Sequence, residues 1–425
     1  MLDPVIARTG AGRYRRIGLI PADLARAAAP IFVVWIVHTR PRTVQTNGGT
    51  GRSASTWQAR CVSSTEPLRS TSPTGNVPTI HPPDRPTVDW DEDPCRPAVV
   101  LIDQNALPDV ERMLRLETVD AVIDAIRRLA VRGAPAIGVA GGLGVALAAR
   151  TLADPASAIV GLRAARPTAV NLAYAVDRVA ARLADGPAVV LAEALAIRDE
   201  EIASSVSMAA YGAELIGQVC DERPRLLTHC NTGALATVFG GTALAVVFAL
   251  HRAGRLGGVV ASETRPLLQG ARLTAWELAR AGVPFRLAVD GAGPFLLARG
   301  EADAVILGAD RICANGDVVN KIGSYAHALG AARAGVPFVV VAPESTVDLA
   351  TASGADVEIE DRPPGEVLGF GSTRTAPAGT HVANPAFDVT PADLVTAVVT
   401  DRRVVRFAAG ETWNDVPLGP LRSTS

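Results

Sequence analysis

Lysine is almost missing from this sequence: of 41 basic residues only Lys321 is a lysine, and the rest are arginine. A chain-wide preference for arginine explains the scarcity but not why one position escaped it. An ammonium that meets a phosphate as a point charge, or changes protonation when buried, is a reason to keep one. Cysteine is also sparse. The five (Cys61, Cys95, Cys220, Cys230, Cys313) are odd in number, widely spaced and never Cys-x-x-Cys, which excludes a disulfide framework and a zinc site and suits a reducing cytosol. The six histidines have no His-Glu-x-x-His or similar spacing, so no metal is expected. The apolar stretches read as too short for a membrane span. A net charge of −2 gives no electrostatic case for nucleic acid or an anionic membrane as partner. Both the dinucleotide fingerprint Gly-x-Gly-x-x-Gly and a Walker loop are lacking.

What is present is a core. Hydrophobic residues make up 48% of 425 residues, enough for two domains, or three if small. Residues 1–85 stand apart, with an excess of arginine over acids, Ser/Thr/Pro/Gly-rich pieces and no sustained period. They read as a disordered extension, or as a start placed too far upstream. The apolar run from Pro30 to Val37 lacks the flanks of a signal sequence.

Order begins at Ala98-Val-Val-Leu-Ile-Asp103, a strand. Glu117 to Val131 has helical apolar spacing, and Arg132-Gly-Ala-Pro-Ala-Ile-Gly138 leads into a helix of small residues. A Gly-Ala-Pro turn at a helix start, beside the fork-shaped cation Arg132, suits a phosphate oxyanion. Arg166 stands before a second helix start, and helical patterns follow to about Ala210. These features define a first domain, residues 86–205.

Residues 206–415 alternate strands with helices, the signature of a mainly parallel sheet built by right-handed crossovers; 416–425 are a tail. The strands are Arg225–Cys230, Gly257–Glu263, Pro284–Asp290, Ala304–Asp310 and Pro337–Ala342. Four of them end on Cys230, Glu263, Asp290 and Asp310, where such sheets bind ligands. Cys230 is expected to sit before a helix N-terminus that favours its thiolate, whereas Cys220 and Cys313 read as buried structural thiols. Glu263 and Arg265 read as a structural ion pair, and Gln269 as a ligand for a sugar hydroxyl. Polar residues crowd behind Leu307, from Asp310 to Lys321, with a helix expected from Lys321 to Ala334.

Seven segments in order resemble the methylthioribose-1-phosphate isomerase family: Val131–Gly138, Arg166–Leu172, Thr228–Leu235, Glu263–Glu277, Gly308–Ile312, Asn320–Gly323 and Asn384–Pro391. The resemblance covers about residues 86–410 and implies a smaller N-terminal α/β domain, residues 86–205, plus a Rossmann-like catalytic domain with a mainly parallel sheet, residues 206–415. It implies conversion of 5-methylthioribose 1-phosphate to the ketose 1-phosphate in methionine salvage, in the cytoplasm, by a homodimer without cofactor. It further implies Asp310 as proton donor, Cys230 as transition-state stabiliser, and Arg132, Gly133, Ala134, Arg166, Gln269, Asn320 and Lys321 as substrate contacts. Ser262 stands where many members carry an acid. The chemistry agrees: with phosphate on the anomeric carbon the ring opens only if an acid protonates its oxygen, and a buried carboxyl does this near neutral pH. A thiolate would then serve as base in a proton-transfer route or as stabiliser of a hydride shift. A ribose-1,5-bisphosphate isomerase is the nearest rival. A non-catalytic subunit of the initiation-factor-2B type has no need of Cys230 and Asp310, and a nicotinamide dehydrogenase lacks its glycine fingerprint.

Overall fold

Short apolar runs bounded by glycine or proline become buried strands, and the longer small-residue runs become helices packed on them. A computed structural model describes residues 3–8, 14–20, 85–93, 95–166, 169–371 and 373–422. The chain divides into two units, Met1–Asn76 and Val77–Ser425. In the first, β1 (Asp3–Arg8) pairs antiparallel with β2 (Tyr14–Ile20), with a register shift between Val5 and Ile6. No strand was expected there; Val5, Ile6, Ile17 and Ile20 supply the β-branched residues that favour pairing. The remaining expectations for residues 1–84 lie outside the described residues.

The second unit opens with an antiparallel sheet of β3 (Val88–Asp91), β4 (Ala98–Ile102) and β5 (Met113–Leu116). Five helices follow: α1 (Val119–Arg127), α2 (Ala134–Thr151), α3 (Ala156–Arg163), α4 (Val170–Ala180) and α5 (Pro187–Val219). Thr118 caps α1, its side chain accepting the Ala121 N–H at 3.2 Å. α2 is apolar on all sides because the others surround it. By length and composition it is enough to cross a membrane, contrary to the sequence expectation, but 72% of it is buried in the fold. It approaches α4 so closely that a Cβ on Gly141 would lie 2.4 Å from Leu172 Cδ1.

The expected boundary at 205/206 falls inside α5, which is unbroken. Its first half (Val190, Leu191, Ala194, Ile197) joins the core under β3–β5, and its second half (Met208, Tyr211, Leu215, Ile216) joins the next core. No glycine or proline interrupts the helix at the change of partner, so the sequence carries no sign of it.

Next come β6 (Arg225–Thr228), α6 (Ala243–Arg252), β7 (Gly258–Ser262), α7 (Ala275–Arg280), β8 (Phe285–Ala288), α8 (Gly293–Ala298) and β9 (Ala304–Leu307). β10 (Arg311–Cys313), β11 (Val318–Lys321), α9 (Ser324–Ala334), β12 (Phe338–Val341) and β13 (Val347–Asp348) continue the chain. α10 (Gly365–Leu368), β14 (Gly369–Phe370), β15 (Thr373–Arg374), β16 (Phe387–Thr390), β17 (Ala397–Val399) and β18 (Val404–Val405) complete it. The large sheet has the order β18-β17-β12-β9-β6-β7-β8 and is parallel except for β17–β18. From β6 the chain winds outward through β7 and β8, then returns to place β9 on the other side of β6 and winds the opposite way. The β6–β9 junction is therefore the topological switch point, where a crevice opens at the carboxyl ends.

A second sheet, β13-β10-β11-β16, is built from the segment behind β9. This corrects the helix expected from Lys321: Asn320 and Lys321 end strand β11, and α9 begins only at Ser324. Asp388 on β16 accepts the Gly323 and Tyr325 N–H groups at 2.7 and 3.2 Å and so covers the start of α9. Burial raises the Asp388 pKa to about 6.

Candidate active site

A cavity of about 310 Å³ includes the residues following β6 and β9 in its wall. Arg132, Gly133, Ala134, Arg166, Cys230, Gln269, Asp310, Asn320 and Lys321 all line it, although they lie as far as 189 positions apart in the chain.

Each side chain is delivered by an identifiable device. Gly133 has φ +91°, and a Cβ there would sit 2.2 Å from the Ala236 carbonyl oxygen, so only glycine lets α2 begin at this point. Arg132 just before it donates to Asn231 Oδ1 at 2.6 Å. Arg166 precedes α4; burial lowers its guanidinium pKa, Glu360 and Asp310 oppose that, and Arg362 and Arg132 add to it. Lys321 donates to the Ala386 carbonyl at 2.8 Å and lies 4.7 Å from the centre of the Phe387 ring. Asn320, 5% exposed, donates to Ser324 Oγ at 2.8 Å. Gln269 is equally buried, and its Oε1 has no partner among the described residues. It directly precedes a π-helical turn, Gly270–Thr274, that leads into α7.

Cys230 occupies the left-handed region at φ +61°, costly for a residue with a side chain. Two threonines hold it there. Thr264 Oγ1 accepts the Cys230 N–H at 2.9 Å, and Thr274 Oγ1 donates to the Cys230 carbonyl at 2.6 Å. Thr264, itself at φ +65°, is fixed by Asp290, whose two carboxylate oxygens accept the Thr264 and Arg265 N–H groups, each at 2.7 Å. Thus Asp290, just behind β8, holds a loop. The helix expected behind Cys230 is absent: residues 231–242 form turns, and α6 starts at Ala243.

Asp310 is exposed by surface area because it opens onto the cavity, yet protein encloses it on every other side. Burial raises the carboxyl pKa, while Lys321, Arg166 and Arg132 pull it down.

Behind the site, His229 Nδ1 meets Ser262 Oγ at 2.7 Å and His229 Nε2 meets the Ile322 carbonyl at 2.8 Å. His327 Nε2 lies 3.2 Å from the same Ser262 oxygen. Burial pushes these imidazoles down to about 4 and about 3. Cys220 and Cys313 are free thiols that burial pushes up to about 11; Cys313 is buried as expected, whereas Cys220 is only half-buried.

The expected Glu263–Arg265 ion pair does not form among the described residues. Arg265 donates instead to the carbonyls of Pro266 and Glu366 at 3.1 and 3.2 Å and lies against the Phe370 ring. Other wall residues escaped the sequence reading. Arg272 donates to the carbonyls of Gln104 and Leu107 at 2.7 and 3.0 Å, tying the β4–β5 loop over the cavity. Glu358, Glu360 and Arg362 arrive from the segment after β13. Asn231 is also in the wall; it and Glu277, which lies behind the wall, belong to segments already singled out but were given no role there.

Fold and site together define an α/β protein with a ligand cavity at a topological switch point, lined by a thiol, an enclosed carboxyl and several basic groups. The chain belongs to the Initiation factor 2 subunit family, whose model matches residues 130–406. It is 56% identical over 331 residues to the methylthioribose-1-phosphate isomerase of Anaeromyxobacter sp. (strain K), covering 77% of this chain and 96% of that one. It is 52% identical over 335 residues to a probable bifunctional methylthioribose-1-phosphate isomerase/methylthioribulose-1-phosphate dehydratase of Nocardia farcinica, covering 77% of this chain and 60% of that protein. The crystal structure of 5-methylthioribose 1-phosphate isomerase from Pyrococcus horikoshii OT3 superposes with a TM-score of 0.71 at 41% identity, covering 76% of this chain and 92% of that one.

Proposed function

We infer that this chain is an aldose–ketose isomerase converting 5-methylthioribose 1-phosphate to 5-methylthioribulose 1-phosphate in methionine salvage. The observation that carries the reading is the pairing, at the β6–β9 switch point, of Cys230 with an enclosed Asp310 whose pKa burial raises. The names of the relatives agree with it. Arg132, Arg166 and Lys321 neutralise the phosphate, with Gly133 and Ala134 at the α2 N-terminus; Gln269 and Asn320 take sugar hydroxyls. Asp310 gives its proton to the ring oxygen as the C1–O bond opens, and the hydrogen on C2 moves to C1 with its bonding pair. The C2 hydroxyl proton, released as C2 becomes the ketone, restores the acid. Cys230 stabilises the charge that develops between C1 and C2.

A bisphosphate needs a second set of free cations. Here Arg311 is paired with Asp348 and Arg362 with Glu366, both at 2.5 Å, Arg272 is held by the Gln104 and Leu107 carbonyls, and Glu358 and Glu360 are in the wall, which favours an uncharged substituent at C5. A binding-subunit reading leaves the enclosed acid and the strained cysteine without a task. The enzyme acts in the cytoplasm as a homodimer, the dimer supported by exposed apolar side chains on β8, α8 and α9. Asp310→Asn tests the chemistry. Turnover should fall by about 10²–10⁴-fold with the melting temperature and substrate binding kept; retained turnover rejects Asp310 as the acid.

A further inference from the structure

Glu277 on α7 lines no part of the cavity, yet it sits at the root of a hydrogen-bonded chain that reaches it. Its Oε2 accepts from Asn231 Nδ2 at 2.7 Å, its Oε1 accepts the Leu235 N–H at 3.0 Å, and Asn231 Oδ1 accepts from Arg132 Nη2 at 2.6 Å. Asn231 and Glu277 are 3% and 5% exposed. The carboxylate is packed so tightly that a Cβ on Gly233 would lie 1.9 Å from its Oε2. Such a buried acid is costly unless its contacts do something a neutral side chain cannot.

From this geometry we propose that Glu277 is a positioning residue which sets the direction of the Asn231 amide and thereby aims the Arg132 guanidinium at the substrate phosphate. The reason is donor–acceptor bookkeeping. Both Glu277 oxygens face N–H donors, so the side chain acts here as the ionised carboxylate, the form favoured above the pKa of about 7 to which burial raises it; that form only accepts, and a guanidinium only donates. Between them an amide has one allowed orientation, nitrogen toward Glu277 and oxygen toward Arg132. A glutamine at 277 removes that constraint. With its oxygen held by the Leu235 N–H, its NH2 faces Asn231, whose amide must turn its oxygen toward it and present its own NH2 to Arg132. Two donors then face each other, and the guanidinium loses its anchor. Asn231 also donates to Thr274 Oγ1 at 3.3 Å, the hydroxyl that holds the Cys230 carbonyl, so the same chain touches the backbone of the cysteine.

The proposal rests on the isomerase reading for its assay, and the two fail separately: wild-type turnover tests the reading, and the ratio of variant to wild type tests the relay. Three proteins are compared, wild type, Glu277→Gln, and the exchange Asn231→Asp with Glu277→Gln. In the exchange, the new carboxylate at position 231 accepts from both Arg132 and the new amide at position 277. That amide's oxygen still accepts the Leu235 N–H. Every bond from Arg132 to Leu235 is therefore kept and the charge moves from one side chain to the other; the one bond given up is the long 3.3 Å donation from position 231 to Thr274 Oγ1. Glu277→Gln should raise KM for 5-methylthioribose 1-phosphate by about ten- to hundredfold, the size expected for a charged hydrogen bond, with kcat changed far less. The exchange should return KM toward wild type. Unchanged KM in Glu277→Gln overturns the relay, and so does an exchange protein as impaired as the single variant. If Glu277→Gln does not fold, the exchange decides alone: folded with near wild-type KM supports the relay, whereas a raised KM or failure to fold overturns it.

Discussion

His229 and His327 lie back to back beneath the site, ring centres 5.0 Å apart, sharing the hydroxyl of Ser262. Burial depresses both pKa values from 6.5, to about 4 and about 3, so the folded protein holds them neutral where the unfolded chain would protonate them. Their contribution to stability is therefore complete above pH 6.5 and is lost as pH falls from there toward 3. Raised carboxyls such as Glu277, at about 7, act in the opposite sense over the same range, so the pair is best isolated by difference. His327→Leu should gain roughly 2 kcal/mol on wild type between pH 7 and pH 5, read from urea unfolding. Parallel stability curves for the two proteins would refute the neutral pair. At this scale much of the site was legible, because a thiol or carboxyl directly behind an apolar run marks a strand end. The supports were not. Thr264, Thr274 and Asp290 hold Cys230 through backbone bonds that leave no pattern in the sequence, and His327 meets His229 only through the fold.

Elements delivered by periodicity were also legible: β4, α1, β6, β7, β9 and β12 lie where their apolar runs predict. A change of partner inside an element left no such mark. α5 passes from one core to the next without a break, and Val318–Lys321 is a strand only because β10 and β16 flank it. β8 illustrates a different limit. It is the edge of the large sheet and carries Leu287 at 48% exposure; Val289 behind it and Phe295 on α8 are more exposed still, and Leu329 on α9 is comparable. An edge strand with apolar neighbours is a surface that proteins usually cover, and a second copy covers it in the proposed homodimer. Sedimentation of the wild type should give about twice the chain mass of 44.0 kDa, and Phe295→Asp should shift it toward monomer. A wild-type monomer at micromolar concentration would contradict the dimer.

For the whole molecule, one topological decision places the chemistry. The sheet reverses its winding between β6 and β9, which brings residue 230 and residue 310 to neighbouring carboxyl ends, while α2 and α4 supply Arg132 and Arg166 from the other layer. Neither layer alone holds the Asp310 carboxyl together with both arginines. The joint cavity, so built, is proposed to isomerise a sugar 1-phosphate bearing an uncharged C5 substituent. The direct measurement is turnover of 5-methylthioribose 1-phosphate by the purified protein, beside ribose 1,5-bisphosphate, without added metal or nucleotide. Conversion of the methylthio sugar to its ketose, with a clear preference over the bisphosphate, is the predicted result. Preference for the bisphosphate, or no turnover of either by folded protein, would contradict it.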